Sequence, residues 1–356
     1  MRSDYEMAEE IVEEWLDEED ETEVLRFDRL DMKSLPTLPS NLQKLTIINC
    51  KSLTALPNSL PDSLRHLVII GTPIEILKNI PQSLVKLHLN GTKIKSIILP
   101  DNLISLDISH CDSVSLYNMG DALHQITIYD VGNMRIPRLP ESLRYLEINK
   151  TNLNEIDYYP NRIEYLDISN TDISYIKALP FKLEELHVND TRISRLPPLP
   201  TALKVLNCPN TFLQMLPDLH EGLEELYCAN SPNLSYIPKL PKSLKILSAY
   251  KNKQIVSLPQ LHEGLEELFI SSTGISVVDL PISLQELEIY NCPSLLVSRI
   301  KDESIPDYKK RWLDFVQKNA IDNCKQIKDE LIEIALNPER IGWYIRNYGI
   351  EILQHI

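Results

Sequence analysis

The sequence predicts an α/β repeat: a solenoid with a parallel concave β-sheet, about 20 residues per repeat, an extended convex side and helical caps at both ends. Two periodic observations and one of composition predict it. Leucine or isoleucine recurs at 42, 64, 84, 103, 123, 143, 163, 183, 203, 223, 244, 265 and 284, and self-similarity at such a period marks stacked turns rather than a globular core. Each of these positions is followed, three and five residues on, by further apolar ones, from Leu45 and Ile47 in the first turn to Leu287 and Ile289 in the last. Finally, 9 glycines stand against 24 prolines, with neither G-x-G-x-x-G nor G-x-x-x-x-G-K-[ST], which excludes the phosphate-cradling loops of nucleotide enzymes.

Each element follows from local chemistry. Residues 1–24 are expected to form an acidic N-terminal capping helix, since Ser3-Asp4-Tyr5-Glu6 has capping-box form. Ala8, Ile11, Val12, Trp15 and Leu16 make one apolar stripe at helical spacing, so Ile11, Trp15 and Leu16 are expected to pack on the first turn. Leu25, Phe27, Leu30 and Leu35 read as a degenerate first repeat, and the solenoid is expected over 25–296. In each L-x-I step the apolar side chains point inward and the intervening ones outward, because successive strand residues alternate faces. The other half of each turn, typified by Leu196-Pro197-Pro198-Leu199-Pro200, should run extended, because proline fixes φ and removes a donor. The ninth position of each turn, from Cys50 and Thr72 to Thr273 and Cys292, reads as a buried ladder of hydroxyls and thiols. Residues 297–356 are expected to form a C-terminal helical cap. Tyr308, Trp312, Val316, Cys324, Ile327 and Leu331 mark amphipathic helix from about 307 to 336. Pro338 breaks it, Ile341–Tyr348 forms another turn or two, and Gly349 suits a helix stop.

The formal net charge is −15, unevenly spread. Residues 1–24 hold twelve Asp/Glu against one arginine, leaving 39 acids and 35 bases in the remainder. No basic stripe is available to follow a phosphate backbone, so nucleic acid is not an expected partner. No apolar run is long enough for a membrane span, and the acidic start has no apolar core of a cleavable signal peptide. Five of the six cysteines fall in the ninth column or, for Cys208 and Cys228, at the third inward strand position. Buried free thiols suit a reducing, cytoplasmic compartment, with no metal and no cofactor expected.

The L-x-x-L-x-I unit is the strand signature of leucine-rich repeats. It resembles the bacterial effector repeats of the YopM and IpaH type, short units of L-P-x-L-P-x-x-L-x-x-L form. Leu35-Pro36-Thr37-Leu38-Pro39 leading to Leu42 and Leu45, and the stretch from Leu196 to Leu206, carry this likeness over about residues 25–296. Threonine stands where that family has asparagine. None of the six cysteines has aspartate two residues on, so the ligase activity of the IpaH branch is not implied. The resemblance implies a pathogen effector acting on host proteins in the host cytosol. A second likeness is to giant-virus repeat proteins: Asn337-Pro338-Glu339-Arg340-Ile341 with Trp343-Tyr344 is similar to a short terminal box of those proteins, and Pro81-Gln82-Ser83-Leu84 to their repeat. It implies a structural or assembly protein.

Two imidazole–carboxylate pairs fall at matching outward positions of successive strands, His88 with Asp107 and Asp167 with His187, and Ser105 and Ser109 lie near the first. They would be the site of an enzyme reading. The outward aromatics carry the main one. Tyr227, Tyr250, Phe269 and Tyr290 are expected to form one contiguous patch over four consecutive strands, flanked by Glu225, Glu267, Glu286 and Glu288, with Tyr145 and Tyr165 further along. Surface tyrosines have no core to account for them and are enriched where proteins meet. The expected function is a non-catalytic protein–protein interaction scaffold, with self-association as one mode.

Overall fold

The computed structural model describes residues 3–18 and 24–318, apart from 277, 282, 296, 298, 301 and 316. The chain divides into two compact units, the first ending at Ser294.

The first unit opens with α1, Asp4–Asp17. The capping box forms: Ser3 Oγ accepts the Glu6 N–H and the Glu6 carboxylate accepts the Ser3 N–H. Ala8, Val12 and Trp15 are buried. Leu16, expected in that seam, is 51% exposed, because it lies one residue past Trp15 and so about 100° around the helix.

Strands follow in chain order: β1 Val24–Asp28, β2 Lys44–Ile48, β3 His66–Ile70, β4 Lys86–Asn90, β5 Ser96–Ile98, β6 Ser105–Tyr117, β7 Gln125–Arg135 and β8 Tyr145–Thr151. Then come β9 Tyr165–Asp167, β10 Glu185–His187, β11 Val205–Asn207, β12 Glu225–Tyr227, β13 Ile246–Ser248, β14 Glu267–Phe269 and β15 Glu286–Glu288. One sheet runs through all of them in sequence order, every neighbour parallel, with β5 off the path and paired to β6. This is a leucine-rich-repeat solenoid, and the degenerate first repeat supplies its first strand, β1. Register repeats from turn to turn, placing Leu25, Leu45, Leu67 and Leu87 in one inward row that continues to Leu287. Both inward rows are buried along their length, and each such side chain contributes roughly 1.5–3 kcal/mol through neighbour stacking.

Each repeat has, two residues past its second inward strand residue, a left-handed residue that the sequence pattern of apolar positions does not reveal. Arg29, Asn49, Gly71, Gly91, His110, Asp130, Lys150, Asn170, Asp190, Asn210, Asn230, Lys251, Ser272 and Asn291 all have φ between 50° and 62°. Most are Asn, Asp or Gly, the residues that tolerate this region best, so a composition signal was present one place before the ninth column. At Gly71 a Cβ would lie 2.4 Å from Asn49 Oδ1, so crowding adds to the demand on φ.

The ninth column is buried throughout the first unit. Thr171, Thr191, Thr211 and Thr273 hydroxyls donate to the carbonyls three residues back, at 2.6–2.9 Å. Asn252 bridges three backbone groups: its Oδ1 accepts the Ser231 N–H at 2.7 Å, and its Nδ2 donates to the carbonyls of Cys228 and Ala249 at 2.8 and 3.1 Å. Cys208 and Cys228 are buried free thiols, and desolvation pushes Cys228 up to about 12.

The far side of the turns is in places not only extended, as expected, but also paired. In the middle of the unit β6 and β7 continue past their left-handed residues, His110 and Asp130, into a second leg. There Ser113, Val114 and Ser115 pair with Asn133, Met134 and Arg135, and β5 adds Ser96–Ile98 on the other edge. No proline interrupts Ile97-Ile98 or Val114-Ser115-Leu116, so every residue there can donate to a ladder.

In the second unit residues 305–315 are helical. Ser304 caps this helix by accepting the Asp307 N–H at 3.2 Å. Buried Tyr308 donates its hydroxyl to Val297 O at 2.9 Å. Glu303 accepts from Arg311 Nε and Nη2 at 2.8 and 2.7 Å, and this bidentate contact holds its carboxyl down at about 2. The remaining expectations for this region, including Val316, Cys324, Ile327, Leu331 and the 337–349 box, fall outside the described residues.

Candidate interaction face

Three columns of side chains point outward from the sheet. In the last four repeats the first column reads Glu225, Ile246, Glu267, Glu286, and the second Tyr227, Ser248, Phe269, Glu288. Two residues further on, the third reads Ala229, Tyr250, Ser271, Tyr290. The four aromatics therefore do lie on consecutive repeats, but not as one ladder. Tyr227 and Phe269 occupy the second column two strands apart, and Tyr250 and Tyr290 alternate with them in the third, just past the ends of β13 and β15. Ser248 and Ser271 stand between them in the two columns, and Lys251 Nζ lies 5.7 Å from the centre of the Tyr250 ring. Tyr250 is 39% exposed and Tyr290 36%, while Tyr227 and Phe269 are half-buried.

The carboxylates gather in the first column. Glu267 is pushed above the usual carboxylate range by desolvation and then by the charges of Glu286, Glu225 and Glu266. Tyr227 donates its hydroxyl to Glu225 Oε2 at 2.9 Å, and burial together with that carboxylate raises it to about 12. The opposite end of the same face is basic. Burial and then the cations Lys86, Lys44 and Arg65 push His66 below its ordinary value.

Mid-sheet, Tyr145 and Tyr165 stack on each other, centroids 4.4 Å apart and planes within 3°. Their site is largely self-satisfied, since Tyr145 also donates to Glu147 Oε2 at 2.8 Å. The imidazole–carboxylate pairs part company. His88 Nδ1 lies 2.8 Å from Asp107 Oδ2, but His187 turns from Asp167 and places Nδ1 3.1 Å from Asn207 Nδ2. Asp167 instead accepts the Ser169 N–H at 2.8 Å and Asn149 Nδ2 at 3.3 Å. Ser109 is buried, and its hydroxyl accepts from Asn90 Nδ2 at 2.9 Å. The reading of the sequence missed two further clusters. Asp130 joins His110 Nδ1 at 2.9 Å and Lys150 Nζ at 3.1 Å. On one strand margin Arg144–Glu164, Glu184–Lys204 and Glu224–Lys245 form ion pairs across neighbouring turns at 3.1, 2.7 and 2.7 Å. Both follow from like positions 20 or 21 residues apart.

His220-Glu221 and His262-Glu263 serve as turn-to-turn braces: Glu221 accepts the Lys242 N–H at 2.9 Å and Glu263 the Ser283 N–H at 3.2 Å. No group of three His, Cys, Asp or Glu side chains among the described residues is placed to hold a metal ion. No described helix is long and apolar enough to cross a membrane.

No family model and no curated protein matches the chain. Solved structures do. YopM of Yersinia enterocolitica is 22% identical over 82% of this chain and 91% of that one, with a TM-score of 0.34. YopM of Yersinia pestis is 23% identical over 80% and 93%, with a TM-score of 0.43. The circular leucine-rich-repeat protein CroV588, from a giant virus, is 19% identical over 75% and 53%, with a TM-score of 0.45. Leucine-rich-repeat solenoids are commonly non-catalytic surfaces for binding other proteins.

Proposed function

We propose that this chain is a non-catalytic scaffold that binds a protein partner on the concave, outward face of its last four repeats. The observation that carries the reading is the alternation of Tyr227, Tyr250, Phe269 and Tyr290 between two columns, with Ser248 and Ser271 between rings. Rings spaced this way leave gaps that apolar side chains of a partner fill, and buried aromatic anchors carry most binding energy. The carboxylates Glu225, Glu267, Glu286 and Glu288 beside them select a basic, partly apolar surface and set its approach rate and orientation. Tyr145 and Tyr165 form a secondary, weaker contact, since each already spends a ring face on the other.

The test compares a partner captured on the wild-type chain with its retention by a Tyr227/Tyr250/Phe269/Tyr290 quadruple alanine variant of unchanged melting. Loss of retention is expected, with Tyr250→Ala or Phe269→Ala alone costing more than about 1 kcal/mol. Equal retention overturns the assignment.

A further inference from the structure

Laid out repeat by repeat, the outward face is a charge dipole. In the turns beginning at 42, 64 and 84 the first column holds Lys44, His66 and Lys86, Arg65 stands beside it on the strand margin, and none of the three outward columns holds a carboxylate. Among the described residues Lys44, Arg65 and Lys86 have no ion-pair partner, whereas Arg144, Lys204 and Lys245 on the later turns each have one. In the last two repeats the first column holds Glu267 and Glu286, with Glu288 beside them in the second column and no cation in either. After burial, the larger cause at both ends, the neighbouring cations lower His66 and the neighbouring carboxylates raise Glu267. A surface of opposite charge would relieve both, and this chain carries both surfaces on one face.

We infer that two copies of this chain pair outward face to outward face in antiparallel order, the basic first repeats of each copy on the acidic last repeats of the other. The inference rests on the reading of the last four repeats as a docking surface and names a second copy as its occupant. A two-fold contact is self-complementary, so one match of charges is made twice. The antiparallel register that opposes most charges sets Lys44 over Glu286 and Glu288, and Arg65 over Glu267. The net charge of −15 opposes approach at long range. At physiological salt that repulsion is screened beyond ~8 Å, while contacting pairs are screened less.

Sedimentation of the full chain tests this at physiological and at high salt, using two triple variants. One is Lys44→Glu/Arg65→Glu/Lys86→Glu, and the other Glu267→Lys/Glu286→Lys/Glu288→Lys. The wild type is expected to be dimeric at physiological salt and to dissociate at high salt. Each variant alone should associate more than about tenfold more weakly, and an equimolar mixture should recover the dimer, because both contacts are then again opposite in charge. If a triple variant does not fold, mixing Lys44→Cys chain with Glu286→Cys chain gives the same answer, by a cross-link between copies. A monomeric wild type, undiminished dimers of the single variants, a mixture that stays monomeric or, in the fallback, no cross-link overturns the inference. A foreign partner lost on the quadruple alanine variant would leave the docking surface standing even then.

Discussion

The middle and the last turns of the solenoid solve the same backbone problem by different means. Where a strand ends and the chain bends, buried N–H and C=O groups need partners. In the turns of β6 and β7 the ladder runs on through the ninth column, pairing Cys111 with Val131 and Val131 with Thr151. Valine, which has nothing to offer a hydrogen bond, is tolerated there. In the last turns strands are three residues long, and the ninth side chain takes over, through Thr171, Thr191, Thr211, Ser231, Asn252 and Thr273. The difference teaches that a polar residue in this column matters most where the backbone ladder stops.

Asn252→Ala should have the largest effect. It leaves the Ser231 N–H and the Cys228 and Ala249 carbonyls buried without that partner, at about 1–3 kcal/mol for each group left unsatisfied. Denaturant melts of the pure protein would measure it, and a loss under about 1 kcal/mol would break the comparison. Thr211→Val comes next, at about 1–3 kcal/mol, for the lost contacts to Cys208 O and Ser231 Oγ. The converse change, Val131→Thr, should gain nothing, since the ladder there is already complete. The proline pair sharpens the contrast. Ser115→Pro removes the N–H that donates to Lys95 O at 2.9 Å and should cost about 1–2 kcal/mol. Met215→Pro, at the equivalent place in a proline-bearing turn and 62% exposed, should cost less, and equal melting shifts would contradict this account. At the left-handed turn shared by both regions the sign reverses, and Ser272→Gly should stabilise by up to about 1 kcal/mol in the same melts.

Much of this was legible in the chain. The recurrence of leucine made the strands of the main path, their parallel order and the inward rows readable, because a 20-residue turn leaves little freedom in where its strand falls; β5 lay outside that period. The left-handed column was equally written there, in Asn49, Gly71, Gly91, Asp130 and Asn170, and escaped notice because turn residues carry no hydrophobic period. The helix seam was right for Trp15 and wrong for Leu16, because an apolar side chain at the margin of a stripe signals nothing about which neighbour covers it.

For the candidate face, the sequence determined by itself which residues point outward and which repeats they share, since both follow from strand alternation and period. Partner choice was decided only by the folded turns. His88 has Val68 on one side and Asp107 on the other, so its hydrogen bond has a single destination across the strands. His187 lies between Asp167 and Asn207, with Glu185 3.6 Å away, and the outcome there depends on Ser169 and Asn149 having already claimed Asp167. The staggering of the four aromatics is of the same kind: repeat number is a property of the chain, but column is a matter of register. A period places side chains on a face, and only the competition among neighbours within hydrogen-bonding reach decides which of them meet.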